Sequence, residues 1–115
     1  MGYMRHHAIV VTASDSPAAD TALNAAEQKA LDLGCSVTPI VDGAINGYQS
    51  FLVAPDGSKE GWSESSKGDA QRAALIEFMD TFRFEDGSSP LAWVEVQFGD
   101  DNLVSRVVRH SDEKD

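Results

Sequence analysis

Apolar and β-branched side chains dominate residues 6 to 13 and stop at Ser14-Asp15-Ser16-Pro17. This is the pattern of a strand running into a helix start, with Ser16 as the cap and Pro17 at the first helical position, where a missing N–H costs nothing. Ala19, Ala22, Leu23, Ala26, Ala30 and Leu33 then recur at three- and four-residue steps, opposite Asp20, Asn24, Glu27, Gln28 and Asp32, and Gly34 supplies a stop. A stripe made mostly of alanine implies close approach to a sheet. Ser36 to Val41 reads as a second strand, followed by the turn dipeptides Asp42-Gly43 and Asn46-Gly47. Tyr48 to Ala54 reads as a third, with the Phe51 face toward the core.

A second helix is expected from Ser66, with Asp69 three residues on as a weak capping partner. Its apolar stripe is Ala70, Ala74, Leu75, Phe78, Met79 and Phe82, opposite Gln71, Arg72, Glu77 and Asp80. Ala92 to Phe98 alternates cleanly. The apolar set Ala92, Val94, Val96 and Phe98 alternates with Trp93, Glu95 and Gln97, whose polar company suits the open side of the sheet, the alternative being that Trp62 and Trp93 fold back as lids on the core. Gly99-Asp100-Asp101-Asn102 reads as a hairpin turn into a last strand, Leu103 to His110, ahead of a polar tail.

The element order β-α-β-β-α-β-β predicts an α+β fold, a two-layer sandwich of the ferredoxin-like (split βαβ) kind with one added C-terminal strand. The alternative is another two-layer α+β sandwich with a different strand order. At 115 residues the chain is expected to be a single domain, 1–115, with an ordered core of about 4–110.

Nineteen acidic residues against nine basic ones give a formal net charge of −10, which argues against direct nucleic-acid or anionic-membrane binding, since both reward clustered Lys and Arg. One cysteine, Cys35, excludes an intrachain disulfide and a Cys-rich metal cage. The apolar stretch Ala8 to Val11 is too short for a signal-peptide core or a membrane span, so a cytoplasmic location is expected. Val104, Val107 and Val108 on the last strand would favour pairing at its edge, and Arg106 and Arg109 would blunt it, so a monomer or weak dimer is expected.

Candidate chemistry is sparse. His6 and His7 point to opposite faces of a strand, so only one of them could join His110 around a metal ion. Asp56 to Lys67 spaces its acids like a calcium loop, but the twelfth position, which should be a bidentate Glu, is Lys67. Asp100 and Asp101 with Asp112 or Glu113 match a turn's preference for Asp as well as they match a metal site. The loop serines lack a nucleophile elbow, and no phosphate-binding glycine pattern occurs. The reading therefore assigns no catalytic residue, no metal and no cofactor.

Asp56-Gly57-Ser58 precedes Trp62, and Asp86-Gly87-Ser88 precedes Trp93, two similar turns each leading to a large aromatic. Tyr48, Lys59, Trp62, Arg83, Trp93, Glu95 and Gln97 are the candidate ligand- or partner-binding residues, aromatic faces and donors in an acidic chain. Ile45-Asn46-Gly47-Tyr48-Gln49-Ser50-Phe51, then Pro55-Asp56-Gly57-Ser58-Lys59-Glu60-Gly61-Trp62, then Asp86-Gly87-Ser88-Ser89-Pro90 through Trp93-Val94-Glu95-Val96-Gln97-Phe98-Gly99-Asp100, resemble a family of small bacteriophage and prophage proteins without a known activity. That resemblance covers most of residues 4 to 112. It implies a cytosolic accessory protein, and the expected function is a non-enzymatic protein-interaction or small-ligand-binding module engaging a host or phage protein. The alternatives are an acidic mimic that inhibits a nucleic-acid-binding protein, and a small metal-dependent hydrolase using His6 or His7 with His110.

Overall fold

The computed structural model describes residues 4–59, 61–100 and 103–112. These residues form an α+β structure of two helices and one five-stranded antiparallel sheet. The elements are β1 (His6–Ala13), α1 (Pro17–Leu33), β2 (Val41–Asp42), β3 (Gln49–Val53), α2 (Ser63–Met79), β4 (Leu91–Phe98) and β5 (Arg106–His110). The strand order is β2-β3-β1-β4-β5, with every neighbouring pair antiparallel.

β1 and α1 form as the sequence indicates. The Ser16 hydroxyl accepts a hydrogen bond from the Ala19 N–H at 3.2 Å, and Gly34 ends the helix at φ 88° with its N–H turned back to the helix carbonyls. That left-handed angle is open to glycine at no steric cost. Ala19, Ala22, Leu23, Ala26 and Ala30 are buried, and Leu33 packs against them from a half-buried position. Small side chains let α1 settle close over β1, β3 and β4.

α2 departs from expectation at its start. It begins at Ser63 rather than after Ser66, and Trp62 occupies the cap position in extended conformation without a side-chain hydrogen bond. The Ser65 and Ser66 N–H groups donate to the Trp62 carbonyl, so the helix gains a turn that no capping side chain announces. Its buried stripe is Ser65, Gly68, Arg72, Leu75, Ile76 and Met79. Arg72, assigned to the outer side, is therefore buried, whereas Ala70 is exposed and Ala74, Phe78 and Phe82 are half-buried. The small residues Ser65 and Gly68 let the first turns of α2 approach Asp56. A Cβ added to Gly68 would stand 2.5 Å from the Asp56 carboxylate.

β2 is shorter than the expected 36–41. Val37 bridges Val53, Thr38 exchanges hydrogen bonds with Leu52, and regular pairing resumes only at Val41. Pro39 explains the interruption, because it has no N–H to give to a ladder. β3 follows its pattern, with Phe51 and Val53 buried. Part of the turn expected at 99–102 lies outside the described residues, and the last strand is regular only from Arg106.

The largest correction concerns β4. Leu91, Trp93, Glu95 and Gln97 are the buried set, and Ala92 and Phe98 are exposed with Val94 and Val96 half-buried. Register supplies the reason: Leu91, Trp93, Glu95 and Gln97 stand opposite Ala13, Val11, Ile9 and His7 of β1, the side of the sheet that the helices cover. A one-residue slip would turn every side chain of β4 over, and the alternation of β1 fixes which of the two registers is used.

Candidate functional site

The residues singled out from the sequence do not form one surface. Trp62 is 46 % exposed beside the start of α2, with the Lys59 ammonium 5.8 Å from its ring centre. Tyr48, 48 % exposed, lies at the end of β3, in a groove with Thr12, Phe84 and Ala92. Arg83 follows α2, donates to the Phe82 carbonyl and stands 3.9 Å from Asp80. Trp93, Glu95 and Gln97, expected on the open side, are buried at 5 %, 1 % and 2 % exposure. Trp93 therefore cannot present its ring to a partner, and of the two tryptophans it is Trp62 that reaches solvent.

Burying Glu95 requires compensating charge. Its Oε1 accepts from Arg109 Nε at 2.6 Å, and its Oε2 lies 3.3 Å from Arg72 Nε and 3.7 Å from His7 Nδ1. Arg72 also pairs with Asp69 on its own helix. Beside this cluster, Gln97 accepts from Arg106 at 3.2 Å. By simple alternation Arg106 and Arg109 would face opposite sides. The irregularity opposite Glu95 and Val96 inserts Val108 as an extra residue and brings both arginines to the helix side. The cluster thus ties α2, β1, β4 and β5 together through one carboxylate. With both oxygens engaged, Glu95 is an ion-pair lock rather than a free acid or base.

The two Asp-Gly-Ser turns have the same construction. The Ser58 N–H and hydroxyl both donate to Asp56 Oδ1, at 2.9 and 2.7 Å, and those of Ser88 donate to Asp86 Oδ1, at 2.9 and 2.6 Å. Gly57 and Gly87 sit at φ 80° and 88°. For Asp86 the Ser88 hydroxyl, then the Ser88 N–H, holds the carboxyl below its ordinary range. At Asp56 partial burial pushes upward, but the two Ser58 bonds with Arg72 nearby outweigh it and the net direction is again down. A folded-state value below the unfolded one stabilises the turn above about pH 4 and loses that contribution as pH falls through the folded value. We expect carboxyl NMR titrations of Asp56 and Asp86 to fall below about 3.9, and Ser88→Ala to move Asp86 back up; an unmoved Asp86 contradicts the assignment.

Cys35 is half-buried among the core residues, and burial pushes its thiol up despite the nearby Arg72 guanidinium, which makes it a poor nucleophile. The histidines do not converge. His6 stands opposite Phe98 and His110 opposite Val94 with β4 between them, roughly 16 Å apart on strand spacings, while His7 faces the helices. Among the described residues no group of three or more His, Cys, Asp or Glu is placed to hold a metal ion. Glu60, Asp101 and Glu113, which completed two of the acid sets considered from sequence, lie outside the described residues. No helix among the described residues is long and apolar enough to cross a membrane.

What the structure does assemble is the uncovered face of the sheet. Register places His6, Ala8, Val10 and Thr12 of β1, Val41 of β2, Ser50 and Leu52 of β3, Ala92, Val94, Val96 and Phe98 of β4, and Val107 and His110 of β5 on that side. The strand carboxylates and guanidiniums, Asp42, Glu95, Arg106 and Arg109, all fall on the other. Val10 is 40 % exposed, Val107 52 % and Val41 58 %. Two adjoining grooves of about 330 and 250 Å³ share Thr12, Ala92 and Ser111 on this face. The helices, by contrast, carry Asp20, Glu27, Asp32, Glu64, Asp69 and Glu77 against Lys29, Lys67 and the buried Arg72. No protein-family model matches the chain, and no curated protein and no solved structure is significantly similar to it.

Proposed function

We propose that the protein is a non-enzymatic protein-interaction module whose contact surface is the open face of its sheet. The observation that carries this reading is the segregation of charge: in a chain of net charge −10, the strand positions on one whole face are apolar or uncharged but for two histidines. Contiguous exposed apolar surface of this kind marks association sites, because leaving it in water forgoes about 25 cal/mol for each Å². The same reading takes the strand order as the ferredoxin-like, split βαβ arrangement with β5 added outside β4. The resemblance of the 45–62 and 86–100 segments to phage and prophage proteins supports an accessory role in a bacterial cytoplasm.

The test is a photo-crosslinking amino acid placed at Val94, on the open face, or at Ala70, exposed on α2, in cells producing the chain. Protein adducts from Val94 and none from Ala70 are expected. Adducts from Ala70 alone would overturn the reading, and so would none from either position.

The acids gathered on the helices favour a second reading, in which that layer mimics a nucleic-acid backbone. Reversing Glu64 and Glu77 to lysine would then abolish competition with DNA for a basic DNA-binding protein. Unchanged competition, or none by the parent protein, would sink it.

A further inference from the structure

We infer that the open sheet face is occupied by a second copy of this chain, packed face to face as a symmetric dimer. This rests on the interaction-module reading above and adds the partner's identity. Three surfaces could pair two copies. Joining them through the helices would press Asp20, Glu27, Glu64 and Glu77 against their own equivalents, which like-charge repulsion opposes. Joining them at a sheet edge would extend the sheet either through β5, which is bulged at Val108 and carries Arg106 and Arg109, or through β2, which is two residues long, the features that blunt an edge. The open face has neither obstacle.

That face is complementary to itself. The strand positions of this face carry no carboxylate or guanidinium, and Asp112, which lines the smaller groove, stands 3.8 Å from His110 of its own copy, so the surface asks little opposite charge of its partner and the same surface on a second copy satisfies it, which is the requirement of a two-fold contact. The geometry also removes the cost of charge. Two sheets packed face to face lie about 10 Å apart, each with a helix layer about 10 Å thick on its outer side, so the acidic surfaces end roughly 30 Å apart, several times the ~8 Å screening length at physiological salt.

The strands hold eight, eight, five, five and two residues, which at ~3.3 Å per residue and ~4.8 Å between strands cover roughly 440 Å² before side-chain relief. A standard interface takes about 800 Å² from each partner. Tyr48, exposed beside Thr12 and Ala92 in the larger groove, extends the patch toward that figure. Sheets so packed run aligned or nearly perpendicular, and either arrangement closes on two copies.

Sedimentation equilibrium on the purified chain tests this directly. The parent protein should sediment at twice 12.4 kDa and dissociate with a Kd near or below about 10 μM. Val94→Glu and, separately, Val107→Glu on the exposed edge strand should each weaken association at least about tenfold, while Ala18→Glu on α1 leaves it unchanged; circular dichroism checks that each variant is folded. A monomer at about 500 μM, or a dimer unaffected by both open-face variants, would overturn the inference. A monomer whose Val94 crosslinker still captures a different protein would refute the second copy and leave the interaction module standing; a monomer with no Val94 adduct would refute both.

Discussion

Replacing Glu95 with alanine is expected to destabilise the protein by about 3–5 kcal/mol, the cost of breaking a buried ion pair from one side. The loss comes from what the carboxylate leaves behind. Its side chain is 2 % exposed and that of Arg72 9 %, so the Arg72 guanidinium would remain inside the structure with the more exposed Asp69 and Asp56 to oppose it. Arg109, at 41 % exposure, can turn to water and contributes less. A domain of this size has about 5–15 kcal/mol in all, so the variant approaches the limit of folding.

The double variant Glu95→Leu with Arg72→Met should recover much of that loss. Removing both partners takes away the desolvation penalty together with the attraction, and apolar replacements of a buried pair are often neutral or better. Urea denaturation of the two single variants and the double one measures the coupling. If Glu95→Ala costs under about 1 kcal/mol, the carboxylate is not desolvated as the structure places it.

The parts of this fold that were legible in the sequence are those fixed by local chemistry. Ser16, Pro17 and Gly34 set the ends of α1 through groups within the helix itself, and the alanines between them could face only one way. The order of elements followed from periodicity and turn residues. What was not legible depends on distant partners. In β4 both alternating sets hold apolar residues, and Glu95 with Gln97 made the buried set look like the wet one. The contrary signal lay elsewhere in the chain: Arg72 and Arg109, which share the Glu95 carboxylate, and Arg106, which donates to the Gln97 amide oxygen. The bulge that brings two of them to one side has no mark in the sequence beyond the run Arg106-Val107-Val108-Arg109. The start of α2 was missed for a different reason, because Trp62 fills the cap position without a capping hydrogen bond. The candidate binding residues scattered once Trp93 turned inward, and the surface that replaced them could be recognised only from register.

Trp93→Ala should cost about 3–5 kcal/mol, whereas Val94→Ala, one residue along the same strand, should cost under about 1 kcal/mol when measured below the dimerisation concentration. The contrast is a direct test of which way β4 faces. Trp93 is 5 % exposed, stands opposite Val11 and belongs to the core cluster with Leu75, Met79 and Leu91, so truncating it opens a cavity that α1 and α2 cannot collapse to fill. Val94 stands opposite Val10 on the uncovered side, where a lost methyl pair is replaced by water. Trp93→Phe should be tolerated far better than alanine. The indole Nε1 has no hydrogen-bond partner among the described residues, so the ring is held by packing, and phenylalanine keeps most of its volume without a buried N–H. Thermal and urea unfolding of the three variants gives the ranking. Val94→Ala costing more than Trp93→Ala would mean that the helices cover the other face, and the uncharged surface assigned to association would then be the core.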